Sequence, residues 1–203
     1  MIAIIDYNIG NISAVVNMLQ RLGVQCKIAT CSEDVVLADK IILPGNGAFD
    51  ACMNNLRLSG LIPVLEHQVL QLGRPLLGIC VGAQMLGYSS EEGCEPGLGW
   101  LNMRVKRFPV DLNLRIPHMG WNNVIPTENV SPLAKNIDPD SRFYFVHSYF
   151  MLPDDPADVM FRTHYGIDFS SGVSRGNISG VQFHPEKSHR FGRQLLADFA
   201  GLT

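Results

Sequence analysis

Hydrophobic positions along the chain alternate between strand and helix spacing. Ile2 to Asp6 is a short apolar β run, and Tyr7-Asn8-Ile9-Gly10-Asn11 reads as a turn. Ile12, Val15, Val16, Leu19 and Leu22 then recur at helical spacing up to Gly23, and Val24 to Ala29 returns to a strand pattern. Strand, helix, strand is a βαβ opening, which predicts a parallel sheet. Ile41-Ile42-Leu43 is a third strand, stopped by Pro44-Gly45-Asn46-Gly47, and helical patterns follow over Phe49 to Leu58 and Ile62 to Leu72. Gly73-Arg74 leads into Pro75-Leu76-Leu77-Gly78-Ile79-Cys80, an apolar strand with a helical pattern directly behind it.

Beyond Gly93 the alternation becomes β-like. Arg142 to Phe150, Asp158 to His164, Ile167 to Arg175 and Asn177 to Phe183 all read as strands, and prolines 109, 117, 126, 132 and 139 mark turns. The last strand runs into His184-Pro185-Glu186, and a closing amphipathic helix carries Phe191, Leu195, Leu196 and Phe199. An α/β beginning with a β-rich second half predicts a central mixed, mostly parallel sheet flanked by helices. No repeat or linker divides the chain, so one domain over residues 1–203 is expected.

Composition narrows the setting. The 203 residues are 46% hydrophobic with a formal charge of −3, enough to bury a core and too acidic to attract nucleic acid or anionic membrane in general. No apolar stretch approaches the roughly 18 residues of a membrane span, and Met1-Ile2-Ala3-Ile4-Ile5-Asp6 lacks the basic start of a secretory leader. Cys26, Cys31, Cys52, Cys80 and Cys94 show no paired metal-type spacing; free thiols in a reducing cytoplasm are expected, with no metal and no cofactor.

Gly78-Ile79-Cys80-Val81-Gly82 has the layout of a nucleophile elbow, with cysteine where the hydrolase motif carries serine. Glycines on both sides permit a sharp turn and close backbone packing, and the following amides favour a developing oxyanion. A thiol nucleophile needs a base, and the base needs an orienting group. His184 with Glu186 two residues on can supply both, since residues i and i+2 share a face in extended backbone. Pro44-Gly45-Asn46-Gly47 is a further piece: an Asn46 N–H could join the Val81 N–H in an oxyanion hole. Each piece also has an ordinary reading: a buried thiol, a strand-end histidine, a strand-ending turn.

Together the pieces carry a resemblance. Gly78-Ile79-Cys80-Val81-Gly82-Ala83-Gln84 with Val181-Gln182-Phe183-His184-Pro185-Glu186 resembles the class I glutamine amidotransferases. Pro44-Gly45-x-Gly47-Ala48-Phe49, Pro117-His118-Met119-Gly120-Trp121-Asn122, Tyr144-Phe145-Val146-His147-Ser148-Tyr149 and Gly176 to Ser188 are similar to the glutaminase subunits of imidazole glycerol phosphate synthases. The resemblance implies a flavodoxin-like fold and hydrolysis of L-glutamine to glutamate and ammonia through a thioester. In it Cys80 is the nucleophile, His184 the acid and base, and Glu186 the orienting group. It further implies Gly47, Gln84, Glu92, Ser148 and Tyr149 as glutamine-binding residues, with Glu92 chemically suited to an α-ammonium. The implied partner is a (β/α)8-barrel cyclase, forming a heterodimer that makes imidazole glycerol phosphate and an aminoimidazole carboxamide nucleotide in histidine biosynthesis. His118, Trp121, Asn122 and Lys187 are the expected partner-facing residues. A paralogous subunit feeding another synthase, or a non-catalytic subunit on the same fold, stays open on sequence grounds. Five positions depart from the family pattern: Asn46 where valine is usual, Ala83 where methionine is frequent, Gly87 and Tyr88 in place of a bulkier apolar pair, and Asn8 in a turn commonly richer in glycine.

Overall fold

The computed structural model describes residues 1–110, 114–128 and 131–201. The first half alternates as its periodicity predicts. β1 (Ile2–Ile5), α1 (Ile12–Arg21), β2 (Cys26–Ala29), α2 (Ser32–Val36), β3 (Lys40–Gly45) and α3 (Phe49–Leu58) lead to α4 (Ile62–Glu66). α4 continues through one π-helical turn, His67–Gln71, before β4 (Leu76–Cys80) and the single turn α5 (Val81–Gln84). The second half is β5 (Ser89–Ser90), β6 (Met103–Arg107), β7 (His118–Asn123), β8 (Ile125–Pro126), β9 (Arg142–His147), β10 (Tyr149–Pro153), β11 (Val159–Tyr165), β12 (Ile167–Arg175), β13 (Ile178–Val181) and α6 (His189–Gly201).

Among the described residues the main sheet runs β2-β1-β3-β4-β13-β12-β10-β6-β5, with β11 on β12 and β8 on β11. From β2 to β13 every pairing is parallel; β13, β12, β10 and β6 then pair antiparallel. The inner strands of the parallel half are covered on both faces, so Ile2–Ile5, Leu76–Cys80 and Ile178–Val181 are buried at every position, while the edge strand β2 is largely exposed. One apolar core runs from β1 to Phe199 in α6.

Three expectations needed adjustment. The helix behind Cys80 is one turn long: the Met85 N–H still reaches the Val81 carbonyl, but those of Leu86 and Gly87 tighten onto the carbonyls of Ala83 and Gln84, three residues behind. Asp34 anchors the unanticipated short α2, paired with Lys27 of β2. The stretch from Arg142 to Phe150 is two strands: β9 pairs with β7 in a separate two-stranded ribbon, whereas β10 joins the main sheet. Ser148 lies at that crossing.

Candidate active site

The site stands where β3, β4 and β13 end side by side. Parallel pairing puts Gly45 opposite Cys80 and Val181 opposite Ile79, so the loops after all three strands emerge at one edge of the sheet. In open α/β sheets the crevice at the carboxyl ends of strands is where ligands sit. Cys80 has φ 55° and ψ −116°, a left-handed conformation that a residue with a Cβ adopts at a cost of about 1–3 kcal/mol. The surroundings make that turn compulsory. A Cβ on Gly82 would lie 2.0 Å from the Leu43 carbonyl oxygen, and one on Gly45 would lie 2.2 Å from the Gly82 nitrogen. Glycine at both positions lets the β3 loop and α5 touch backbone to backbone.

His184 is brought beside this thiol by the end of β13. Its backbone N–H donates to the Tyr144 carbonyl at 2.9 Å, and its carbonyl accepts from the Ser188 hydroxyl at 2.6 Å. Its Nδ1 meets Glu186 Oε1 at 2.8 Å, both side chains being 2% exposed. The sequence argument expected this contact across an extended face. The structure makes it inside a 3-10 turn, Pro185–Lys187, which folds Glu186 back under the ring. Nε2 is buried without a hydrogen-bond partner among the described residues and faces the thiol. Burial by itself would lower the affinity of this imidazole for a proton. Contacts with Cys80 and Glu186 outweigh it and push the pKa up to about 10.

The thiol opens into a cleft of about 230 Å³ lined by Asn46, Gly47, Val81, Gln84, Glu92, Pro117, Val146, His147, Ser148 and Tyr149. Every residue expected to bind glutamine or to form the oxyanion hole therefore lies on one wall or another of it. The Glu91-Glu92 pair splits. Glu91 turns out to Lys106 Nζ at 2.9 Å and the Arg107 N–H at 2.8 Å. Glu92 turns in and accepts the Phe49 N–H at 3.0 Å, at the start of α3. Burial raises the Glu92 pKa, and the Phe49 N–H opposes that rise. Gln84 donates Nε2 to the Tyr149 carbonyl at 3.2 Å and to Gln182 Oε1 at 3.0 Å.

Sequence reasoning missed a support layer beneath the thiol. Gln182 is fully buried, and its Nε2 points at Cys80 Sγ from 3.9 Å. A glutamine between Val181 and Phe183, at a position otherwise apolar, was the available signal. The Tyr7 hydroxyl donates to the Pro44 carbonyl at 2.6 Å, and the Cys52 thiol donates to the Asn46 carbonyl at 3.5 Å. Both brace the Pro44-Gly45-Asn46-Gly47 loop from behind.

The four partner-facing candidates divide. Trp121 is 45% exposed and stacks on His189 at 5.2 Å with ring planes 2° apart; Lys187 is also exposed, its Nζ 5.7 Å from the Tyr144 ring centre. These four side chains form one patch. His118 and Asn122 do not join it. They share the opposite face of β7, as period-two alternation requires, and His118 is 3% exposed. Asn122 turns its amide inward to His118 and to the His164 carbonyl. The expectation of an outward His118 is corrected accordingly.

The sequence profile described as glutamine amidotransferase class-I matches residues 3–201. The chain is 52% identical over its whole length, and the whole of the relative, to imidazole glycerol phosphate synthase subunit HisH 2 of Pseudomonas aeruginosa. It is 46% identical to the subunit HisH 2 of Methanococcus maripaludis, covering 98% of each chain. The solved PurLQS structure from Thermotoga maritima superposes with a TM-score of 0.73 over 98% of this chain and 96% of its own, at 17% identity, which speaks to the fold. The chain belongs to the class-I glutamine amidotransferase family and, within it, groups with the HisH subunits of imidazole glycerol phosphate synthase.

Proposed function

We propose that the chain hydrolyses L-glutamine and passes the ammonia to a (β/α)8-barrel cyclase subunit, in the cytoplasm, as the glutaminase half of a heterodimer in histidine biosynthesis. The observation that carries this reading is the strained Cys80, set beside an imidazole held by Glu186 and open to a cleft of about 230 Å³ that holds Glu92 and Gln84.

The side-chain amide of glutamine is attacked by Cys80 Sγ, whose proton is held on His184 Nε2, the imidazolium that Glu186 and the sulfur stabilise. Charge on the tetrahedral oxygen is met by backbone N–H groups of Asn46 and Val81. The C–N bond breaks, His184 returns its proton to the departing nitrogen, and ammonia leaves behind a γ-glutamyl thioester. Water, deprotonated by His184, adds to the thioester; the C–S bond breaks, glutamate departs and the thiol is regenerated. Glu186 keeps Nδ1 protonated throughout and stabilises the imidazolium. Glu92 pairs with the α-ammonium, and Gly47, Gln84, Ser148 and Tyr149 line the remainder of the glutamine site. Trp121 and Lys187 contribute an aromatic anchor and a cation to the partner face.

The test is ammonia release from glutamine by the chain alone, with a barrel subunit, and with the barrel's nucleotide ligand added. The reading expects release that rises with partner and ligand and is lost in Cys80→Ala while the two subunits still associate. Cys80→Ala retaining activity overturns it. Equal rates in the free and assembled chain would show that the partner does not gate the reaction.

A further inference from the structure

We propose that His118 is a positioning residue for the glutamine cleft, holding its Ser148–Tyr149 wall through a one-way string of N–H donors that begins at Asn122. The proposal rests on the reading that glutamine occupies this cleft.

The string can be read atom by atom. His147 Nδ1 lies 2.7 Å from the Tyr149 carbonyl oxygen, which can only accept, so Nδ1 carries the proton. In the neutral ring Nε2 must then accept, and His118 Nδ1, 2.9 Å away, must donate to it. That leaves His118 Nε2 as an acceptor, and Asn122 Nδ2 stands 3.2 Å from it. The second proton on Nδ2 goes to the His164 carbonyl at 2.9 Å, while Asn122 Oδ1 accepts the Asn123 N–H at 2.8 Å. Each N–H of the string is used once, and the direction is fixed from both ends.

Both rings sit in an aromatic box that makes the neutral form the stable one. His118 stacks between Tyr165 at 4.0 Å and Phe145 at 4.8 Å, and Phe108 and Phe169 flank both imidazoles. The string ends where support from the sheets is interrupted. β9 belongs to the two-stranded ribbon and β10 to the main sheet, so the chain changes sheet at Ser148. At Tyr149 the carbonyl takes N–H groups from both His147 and Gln84, which turns it into the protein and sets the facing of the adjoining cleft wall. Ser148 and Tyr149 meet the cleft directly; His118 touches it only through His147. Its role is therefore to position, and it stands on β7, the same strand that carries Trp121 on its other face.

Two measurements test this on the full-length chain with its partner. Long-range ¹H–¹⁵N correlation spectra of the wild type should show His118 and His147 both neutral and both protonated at Nδ1. In glutamine kinetics, His118→Phe keeps the aromatic volume and removes the donor; its KM should rise roughly tenfold with kcat within about twofold, since ground-state placement is what is lost. His118→Gln, which can both donate and accept, should recover most of that KM, and Asn122→Leu should raise it less than His118→Phe. Either ring protonated at Nε2 in the wild type overturns the proposal, as does a KM unchanged in both His118→Phe and Asn122→Leu. If His118→Phe does not fold, the wild-type tautomers and Asn122→Leu decide alone. Absence of ammonia release from the wild-type complex would instead overturn the glutamine reading, and the spectra would still judge the string.

Discussion

The buried histidines around the Cys80 cleft fall into two groups, and their environments drive them to opposite charge states. His184 is 2% exposed, His118 3% and His147 6%, so burial does not separate them. Their partners do. His184 faces a carboxylate and a thiol, and its pKa is pushed up to about 10. Burial pulls His118 down to about 4; it pulls His147 down to about 3, with the Tyr149 carbonyl opposing and neighbouring imidazoles assisting. The lesson is that a buried imidazole takes its role from the first polar atom it meets. An acidic neighbour makes a proton carrier; a carbonyl and a second imidazole make a fixed strut.

The sharpest way to break this contrast is at the chemical centre. Cys80→Ala should lower glutaminase turnover by on the order of 10⁴-fold or more, read as ammonia release. Glu186→Gln keeps the shape and removes the charge; it should cost roughly 10²–10⁴-fold in kcat. His184 should then titrate well below its wild-type position, because burial is opposed by the thiol alone. A Glu186→Gln variant within threefold of wild type would mean that the carboxylate does not set the state of His184.

The strut side should show itself in stability against pH. His118 and His147 have folded pKa values depressed below the unfolded value near 6.5, so the unfolded chain takes up more protons over that interval. Their contribution is present above pH 6.5 and is lost as pH falls toward 3–4. Tyr165 stacks on His118, while His147 also feels the charge of His184. Unfolding free energies measured between pH 6.5 and 4 should fall more steeply in the wild type than in His118→Gln. The difference in slope should be at most about 1.4 kcal/mol per pH unit, the maximum for one proton. Equal slopes would place His118 outside the titrating set. Smallest of all, Trp121→Ala should leave unfolding free energy within about 0.5 kcal/mol, since its ring is half exposed, while weakening association with the partner. Calorimetry with the barrel subunit separates the two.

Much of this was legible in the chain because local pattern and tertiary demand agree there. α3 has the bounds its periodicity gave, as does β12, and the elbow lies where its glycines placed it. What escaped sequence reading depends on partners remote in the chain. The break at Ser148 is invisible in an alternating stretch, since both sides are β; only pairing with β7 on one side and β6 on the other separates them. Glu186 was placed correctly as the imidazole's neighbour through an extended geometry that the 3-10 turn replaces. His118 sat in a segment whose glycine and proline suggested an outer surface, yet strand alternation sends it inward and leaves Trp121 outside. Gln182 and Cys52 gain meaning only once β4 and β3 bring Cys80 and Asn46 over them.

Acid quenching of the assembled enzyme during turnover, followed by mass spectrometry of the Cys80 peptide, tests the covalent claim most directly. The account predicts a labile adduct of one γ-glutamyl group on Cys80, removed by hydroxylamine and never formed in Cys80→Ala. Sustained ammonia release from glutamine with Cys80 unmodified at every time point would contradict it.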